Sequence, residues 1–182
     1  MFERGRTLEE VEGKGKEYGC VFCVKGREHT AARRLERDFP NLRAIAPMKL
    51  RNRRVDGALK EEMEILFPGY VFIEVDDELN VRLINGEQDV IRVLFEDEER
   101  RDWRLIDKDR EIVKILFETG GIVGFSEAYF DEYNKLRINN GFLKPYEDQI
   151  TRVNRRTRTA EISVLSGSMK TSVWLGYVER TS

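Results

Sequence analysis

Leu66-Phe-Pro-Gly-Tyr-Val-Phe-Ile73 is the stretch that decides how this 182-residue chain folds. Pro68-Gly69 is a turn dipeptide. The residues after it, Tyr70–Val75, are β-branched and aromatic and read as a strand. Val71, Ile73 and Val75 share one face of that strand, and Tyr70 and Phe72 share the other. Before the turn, an extended run starts near Glu61 and passes through Met63, Ile65 and Phe67. Further toward the N-terminus, Arg51-Asn-Arg-Arg-Val-Asp-Gly57 reads as a basic turn and Leu42–Leu50 as extended chain. Glu28–Phe39 carries Ala32, Leu35 and Phe39 at helical spacing and stops at Pro40. Tyr18–Val24 reads as a strand that Gly26 breaks. In the other direction, Asp77 can cap a short helix through Asn85. Val90–Phe95 is another strand. Asp107 can cap a helix striped by Ile112, Ile115 and Leu116, which Gly120-Gly121 ends.

Helices and antiparallel strands alternate through residue 119, the pattern of an α+β sandwich. From Lys135 the texture changes. Short β-rich runs at Lys135–Asn139, Gln149–Val153, Thr159–Leu165 and Thr171–Trp174 alternate with Gly or polar turns, which fits a small barrel. The expected organisation is a tail over 1–16, an α+β domain over 17–120, a linker over 121–134 and a β-barrel domain over 135–182. Within the tail, Thr7–Val11 can form a short helix. The linker carries Phe125, Tyr129, Phe130 and Tyr133, so it is no free Gly/Ser tether and is expected to pack on one domain. In the last segment, β-branched Ile150, Val153, Ile162, Val164, Thr171 and Val173 favour strands, and Gly141, Pro145, Gly167 and Gly176 interrupt any long helix.

Hydrophobic residues make up 40% of the chain, enough to fill cores, and charged residues 36%, above the roughly 25% usual in soluble domains. The net charge of -2 excludes a global polycation. The balance is uneven, with nine Lys or Arg against seven Asp or Glu over residues 125–182 and the reverse excess before them. No apolar run approaches the roughly 20 residues a bilayer needs. Met1–Lys16 has no hydrophobic signal core. A cytoplasmic monomer without membrane contact is the expectation.

Cys20 and Cys23 form a C-x-x-C spacing, which invites zinc or redox chemistry. They sit in a strand, where residues three apart face opposite ways. There is no second Cys pair, and His29 is the only histidine, so tetrahedral zinc lacks its ligands. No Gly-rich phosphate loop ending in Lys-Ser/Thr occurs, and no nucleophile lies in sequence reach of His29. The acidic run Glu96–Glu99 reads as solvated surface. The expectation is no catalysis, no metal and no cofactor.

Two stretches carry a resemblance to a known family. Leu66–Ile73, coupled to Tyr18…Val24-Lys-Gly-Arg-Glu28, resembles the N-terminal domain of NusG-family transcription elongation factors. Asn140-Gly-Phe-Leu-Lys-Pro-Tyr-Glu147, then Ile150…Val153-Asn-Arg-Arg156 and Thr159–Val164, is similar to a KOW motif. Together they span about residues 17–182. The basic hairpin and the Leu175-Gly-Tyr177 ending look closest to the LoaP-type paralogues, which act as antiterminators. The resemblance implies an N-terminal antiparallel sheet flanked by helices, followed by a five-stranded KOW barrel. It also implies that the N-terminal domain binds the clamp helices of the largest RNA polymerase subunit. Phe22, Tyr70 and Phe72 match the contacting positions, and Arg82, within Val81–Leu83, lies where family members touch the opposite wall of the channel. Strand alternation is compatible, since one sheet face takes helices and the other is free to expose Phe22, Tyr70 and Phe72 together.

In Arg152-Val-Asn-Arg-Arg-Thr-Arg158 there are four arginines and no acid. With a hairpin tip at Arg155-Arg156-Thr157, Arg152, Arg155, Arg156 and Arg158 crowd one end of the barrel, and Lys144 and Lys170 can join from neighbouring loops. Such a basic cluster in a near-neutral protein points to a local polyanion site. In the LoaP-type resemblance its ligand is an RNA hairpin in the nascent transcript. The competing reading of the same turn is a solvated tip. Arg51, Arg53 and Arg54 also read better as a solvated tip than as a DNA or RNA contact. Typical NusG proteins carry an exposed aromatic after the third barrel strand that docks on NusE or Rho. Leu165-Ser-Gly-Ser168 has none, which puts coupling to NusE, the ribosome or Rho in doubt. The alternative function is an RNA-binding or ribosome-associated KOW module that ignores polymerase.

Overall fold

The computed structural model describes residues 15–76, 78–96, 99–164 and 171–180. Thr7–Val11, Asp77, Leu165–Ser168 and Lys170 lie outside the described residues. The N-terminal part runs β1 (Glu17–Cys23), α1 (Glu28–Asp38), β2 (Leu42–Ile45), β3 (Met48–Val55), β4 (Ala58–Ile65), β5 (Tyr70–Val75), α2 (Val81–Ile84), β6 (Val90–Val93) and α3 (Asp107–Glu118). Its central sheet is antiparallel, in the order β2-β5-β1-β6. On one face Val21, Cys23, Val71, Ile73 and Val75 bury against Ala31, Ala32 and Leu35 of α1. The other face presents Tyr18, Cys20 and Phe72 to Ile112, Val113, Leu116 and Phe117 of α3. Cys20 and Cys23 are therefore buried free thiols on opposite faces.

Three local expectations change. Arg51–Val55 is not a turn. It continues β3, which pairs with β4 from Val55↔Ala58 to Met48↔Ile65 around an Asp56-Gly57 turn. Arg51 consequently meets Glu62 and Glu64 across the hairpin, as cross-strand charge pairing favours. The α2 cap is Asn80, whose side chain accepts from the Leu83 N–H. The α3 cap position falls to Ile106, with extended backbone and no side-chain bond. Asp107 has φ 47, outside the β region that a capping side chain uses. The α3 ending agrees with the sequence: Gly120 and Gly121 take positive φ and return their N–H groups to Phe117 and Leu116.

The stretch 121–134 holds two strands. β7 (Ile122–Val123) pairs parallel with β3, and β8 (Ser126–Phe130) joins the C-terminal sheet, parallel to its last strand. That sheet adds β9 (Leu136–Asn140), β10 (Ile150–Asn154), β11 (Thr159–Val164) and β12 (Thr171–Glu179), in the order β10-β11-β12-β8-β9. Four of its five strands lie in the segment expected to form the barrel and the fifth, β8, comes from the expected linker; among the described residues no pairing joins β9 to β10. A 3-10 helix over Lys144–Gln149 stands between them and packs on β9 and β11.

The two parts share one core. Phe72, Ile112 and Leu116 belong to the same apolar cluster as Ala128, Ile138, Ile162, Leu175 and Tyr177. The Lys49 Nζ donates to the Trp174 carbonyl at 2.8 Å. Gly176 permits the close approach of β12 to β3. A Cβ there would lie 2.4 Å from the Phe125 ring and 3.2 Å from the Leu50 carbonyl oxygen.

Candidate functional site

The register across β5, β1 and β6 places Tyr70, Phe22 and Arg92 in one row at the end of the sheet. The Phe22 and Tyr70 rings tilt together at 5.5 Å. Both are half-buried, and Arg92 is exposed. One row inward, Phe72 is 0% exposed and packs edge-on against Phe67. The three aromatics are therefore not exposed together, contrary to expectation. Helix α3 and the shared core cover the rows of Phe72 and Tyr18 and leave only the outer row partly open. Arg82 is exposed on α2 and lines an open recess of about 630 Å³ with Phe95 and Arg101.

The turn beside the aromatic pair is held by a buried carboxylate. Glu28 Oε1 accepts from the Gly26 N–H at 3.0 Å and the Gly69 N–H at 2.8 Å. Gly69 has φ +89, and a Cβ there would press on the Phe22 ring at 3.1 Å. Burial works to raise the Glu28 pKa, but the N–H donors of Gly26, Glu28 itself and Gly69 outweigh it and hold the carboxyl below its usual range. The same is true of Glu74, where bonds from Lys16, Arg43 and Tyr18 overcome burial. Stability from both carboxylates is therefore full above the unfolded carboxyl value of about 4.3 and is lost as pH falls through the depressed folded values. Glu28→Ala leaves the buried Gly69 N–H and the part-buried Gly26 N–H without their acceptor and is expected to cost about 1–3 kcal/mol. In urea titrations its deficit against wild type should be present at pH 7 and shrink toward pH 3. A deficit that does not change with pH would deny the carboxylate this role.

In the C-terminal part, residues 155–158 form the turn between β10 and β11, where the sequence placed it. The four arginines are not equivalent. Arg152 pairs with Glu161 of β11 at 2.8 Å. Arg155 lies 3.7 Å over the Phe130 ring and donates to Asn134. Arg156 and Arg158 are exposed, with no side-chain hydrogen bond or ion pair among the described residues. Lys144 donates to the Ile138 carbonyl at 2.7 Å and lies 3.5 Å from Glu147. No bond among the described residues links it to the arginine turn.

Sequence reasoning missed two features. Glu161 is eight residues beyond Val153, and only strand pairing brings it to Arg152. Tyr133 is 81% exposed in the turn whose Asn134 holds Arg155. Its place in an expected linker hid it, although an exposed aromatic beside a basic turn was the available signal. Half-buried Trp174 lines a cleft with β3 residues. Among the described residues no group of three or more His, Cys, Asp or Glu is placed to hold a metal ion, and no helix is long and apolar enough to cross a membrane.

A family model described as Transcription termination factor nusG matches residues 16–131. No curated protein matches the chain. Among solved structures the chain is similar to one titled "Domain interaction in Thermotoga maritima NusG". The match has 20% identity and a TM-score of 0.46, over 89% of this chain and 94% of that one.

Proposed function

Because the chain belongs to the NusG family, we propose that it is a transcription elongation and antitermination factor of the LoaP type that binds both RNA polymerase and RNA. The polymerase surface is the outer aromatic row, Phe22 and Tyr70, acting on the clamp helices of the largest subunit. Arg82 meets the opposite wall. Phe72 supports that row from beneath. The RNA surface is the arginine turn of the KOW segment, with Arg156 and Arg158 as the available cations. A hairpin in the nascent transcript is its ligand. Bridging the channel needs no catalysis, only higher affinity for the elongating state.

The observation that carries this reading is the partial opening of one aromatic row in an otherwise two-sided buried sheet. Aromatics rimmed by charge are typical anchors for a protein partner. The test uses the full chain, because its parts share a core. Phe22→Ser and Tyr70→Ser should lose retention by immobilised core RNA polymerase while the unfolding midpoint stays close to wild type. Retention of both variants at wild-type level would move the polymerase surface elsewhere. If wild type itself is not retained but binds RNA, the chain is an RNA-binding module that does not engage polymerase.

A further inference from the structure

Between the β3–β4 hairpin and the β10–β11 hairpin lies a cleft of about 300 Å³ lined by Lys49, Arg51, Asn52, Asn154, Thr157 and Trp174, among others. We propose that this cleft receives a single unpaired RNA base. It would stack on Trp174 and be read by Asn52 and Asn154, while the phosphates beside it rest on Arg156 and Arg158. The proposal rests on the RNA reading of the arginine turn and adds to it a base-specific site that both parts of the chain build.

Three observations support it. The first is the stacking platform. Trp174 is half-buried, where the other tryptophan, Trp103, is buried in the core. Its backbone is anchored by Lys49, so its position is set by the junction of the two parts. Base–aromatic stacking is a general means of holding an unstacked base.

The second is the hydrogen-bonding complement. Asn52 has no side-chain partner among the described residues. Asn154 spends its Oδ1 on the Thr157 N–H at 3.2 Å, which leaves its amide NH₂ free. An amide side chain offers donor and acceptor together, as a base edge requires.

The third is charge. Lys49 and Arg51 are both matched by Glu64, which lines the cleft with them, and Arg51 also by Glu62 beside it. A near-neutral floor favours a base over a phosphate. The unmatched cations, Arg156 and Arg158, stand in the turn that begins directly after Asn154. The arrangement thus separates the two functions, with phosphate contacts on the turn and the base in the cleft. The volume is at the small end of ligand pockets, which suits one base rather than a stacked pair.

The test compares two RNAs with the full chain: a hairpin carrying one unpaired nucleotide in its stem, and the same hairpin fully paired. The unpaired form should bind about tenfold tighter, the effect of one stacked base, and should quench tryptophan emission. Trp174→Ala and Asn52→Ala should each bring the unpaired form down to the affinity of the paired one. If Trp174→Ala fails to fold, Asn52→Ala decides, because its side chain holds nothing else together. Equal affinity of wild type for both RNAs, or a preference that survives Asn52→Ala, would overturn the cleft. Arg156→Ala with Arg158→Ala should weaken both RNAs alike. If they bind unchanged, the arginine-turn reading fails, and the quenching comparison still judges the cleft by itself.

Discussion

Phe72→Ala is expected to destabilise the protein by about 3–5 kcal/mol, the cost of emptying a buried aromatic site. The ring is fully buried, packs edge-on against Phe67, and sits in the cluster that joins α3 to the C-terminal sheet. Removing it opens a cavity at the junction of both parts, so a single cooperative transition in urea should shift as a whole. Phe22, one row outward, is only partly buried, so Phe22→Ser leaves no comparable cavity and should stay closer to wild-type stability. A Phe72→Ala protein with wild-type stability would place that ring at the surface and restore the three-aromatic patch. Two separate transitions would mean that the two parts do not share their core in solution.

The second large effect concerns the arginine turn. Arg156→Ala combined with Arg158→Ala should lower the salt dependence of RNA binding by roughly 1.5 in the slope of log K against log salt, at about 0.7–0.9 for each phosphate no longer neutralised. An arginine that instead reads a base edge should cost about 1–3 kcal/mol on the cognate hairpin and little on a scrambled one. Arg→Lys distinguishes the two, since lysine keeps the charge but lacks the planar fork. Arg152 and Arg155 should behave differently. Arg155 is already engaged by Phe130 and Asn134, so Arg155→Ala should lower stability by about 1 kcal/mol by removing the cation–π pair. Arg152→Ala frees the buried carboxylate of Glu161 from its partner. Titration of hairpin RNA across salt concentrations, with wild type and the variants, checks both halves. An unchanged slope in the double variant would make the turn a solvated tip.

Much of the fold was legible in local sequence. Alternation in Tyr70–Val75 separated Val71, Ile73 and Val75 from Tyr70 and Phe72, and the observed faces follow that division. Helical spacing placed α1 and α3, and the glycine pair after α3 ended it, because these signals depend on neighbours within one or two turns. The strands of the last segment and the tip at residues 155–158 were likewise set by β-branched runs and turn residues. Local patterns name the two faces of a strand but not what covers each. A second face covered by α3 was invisible in Phe72 itself, since a buried and an exposed aromatic read alike. The partners of the arginines were equally hidden. Glu161 reaches Arg152 through strand pairing, Phe130 and Asn134 reach Arg155 from a stretch that read as linker, and Glu62 and Glu64 reach Arg51 across a hairpin. The sequence alone determined most of the strands, helices and turns, though not that Arg51–Val55 continues β3 or that the stretch 121–134 holds β7 and β8, and it determined that four arginines stand close together. Only the tertiary structure decided which of them remain free, that Phe72 belongs to the core, and that Trp174 and Asn52 line one cleft. Those outcomes depend on contacts between residues far apart in the chain, which no local periodicity encodes.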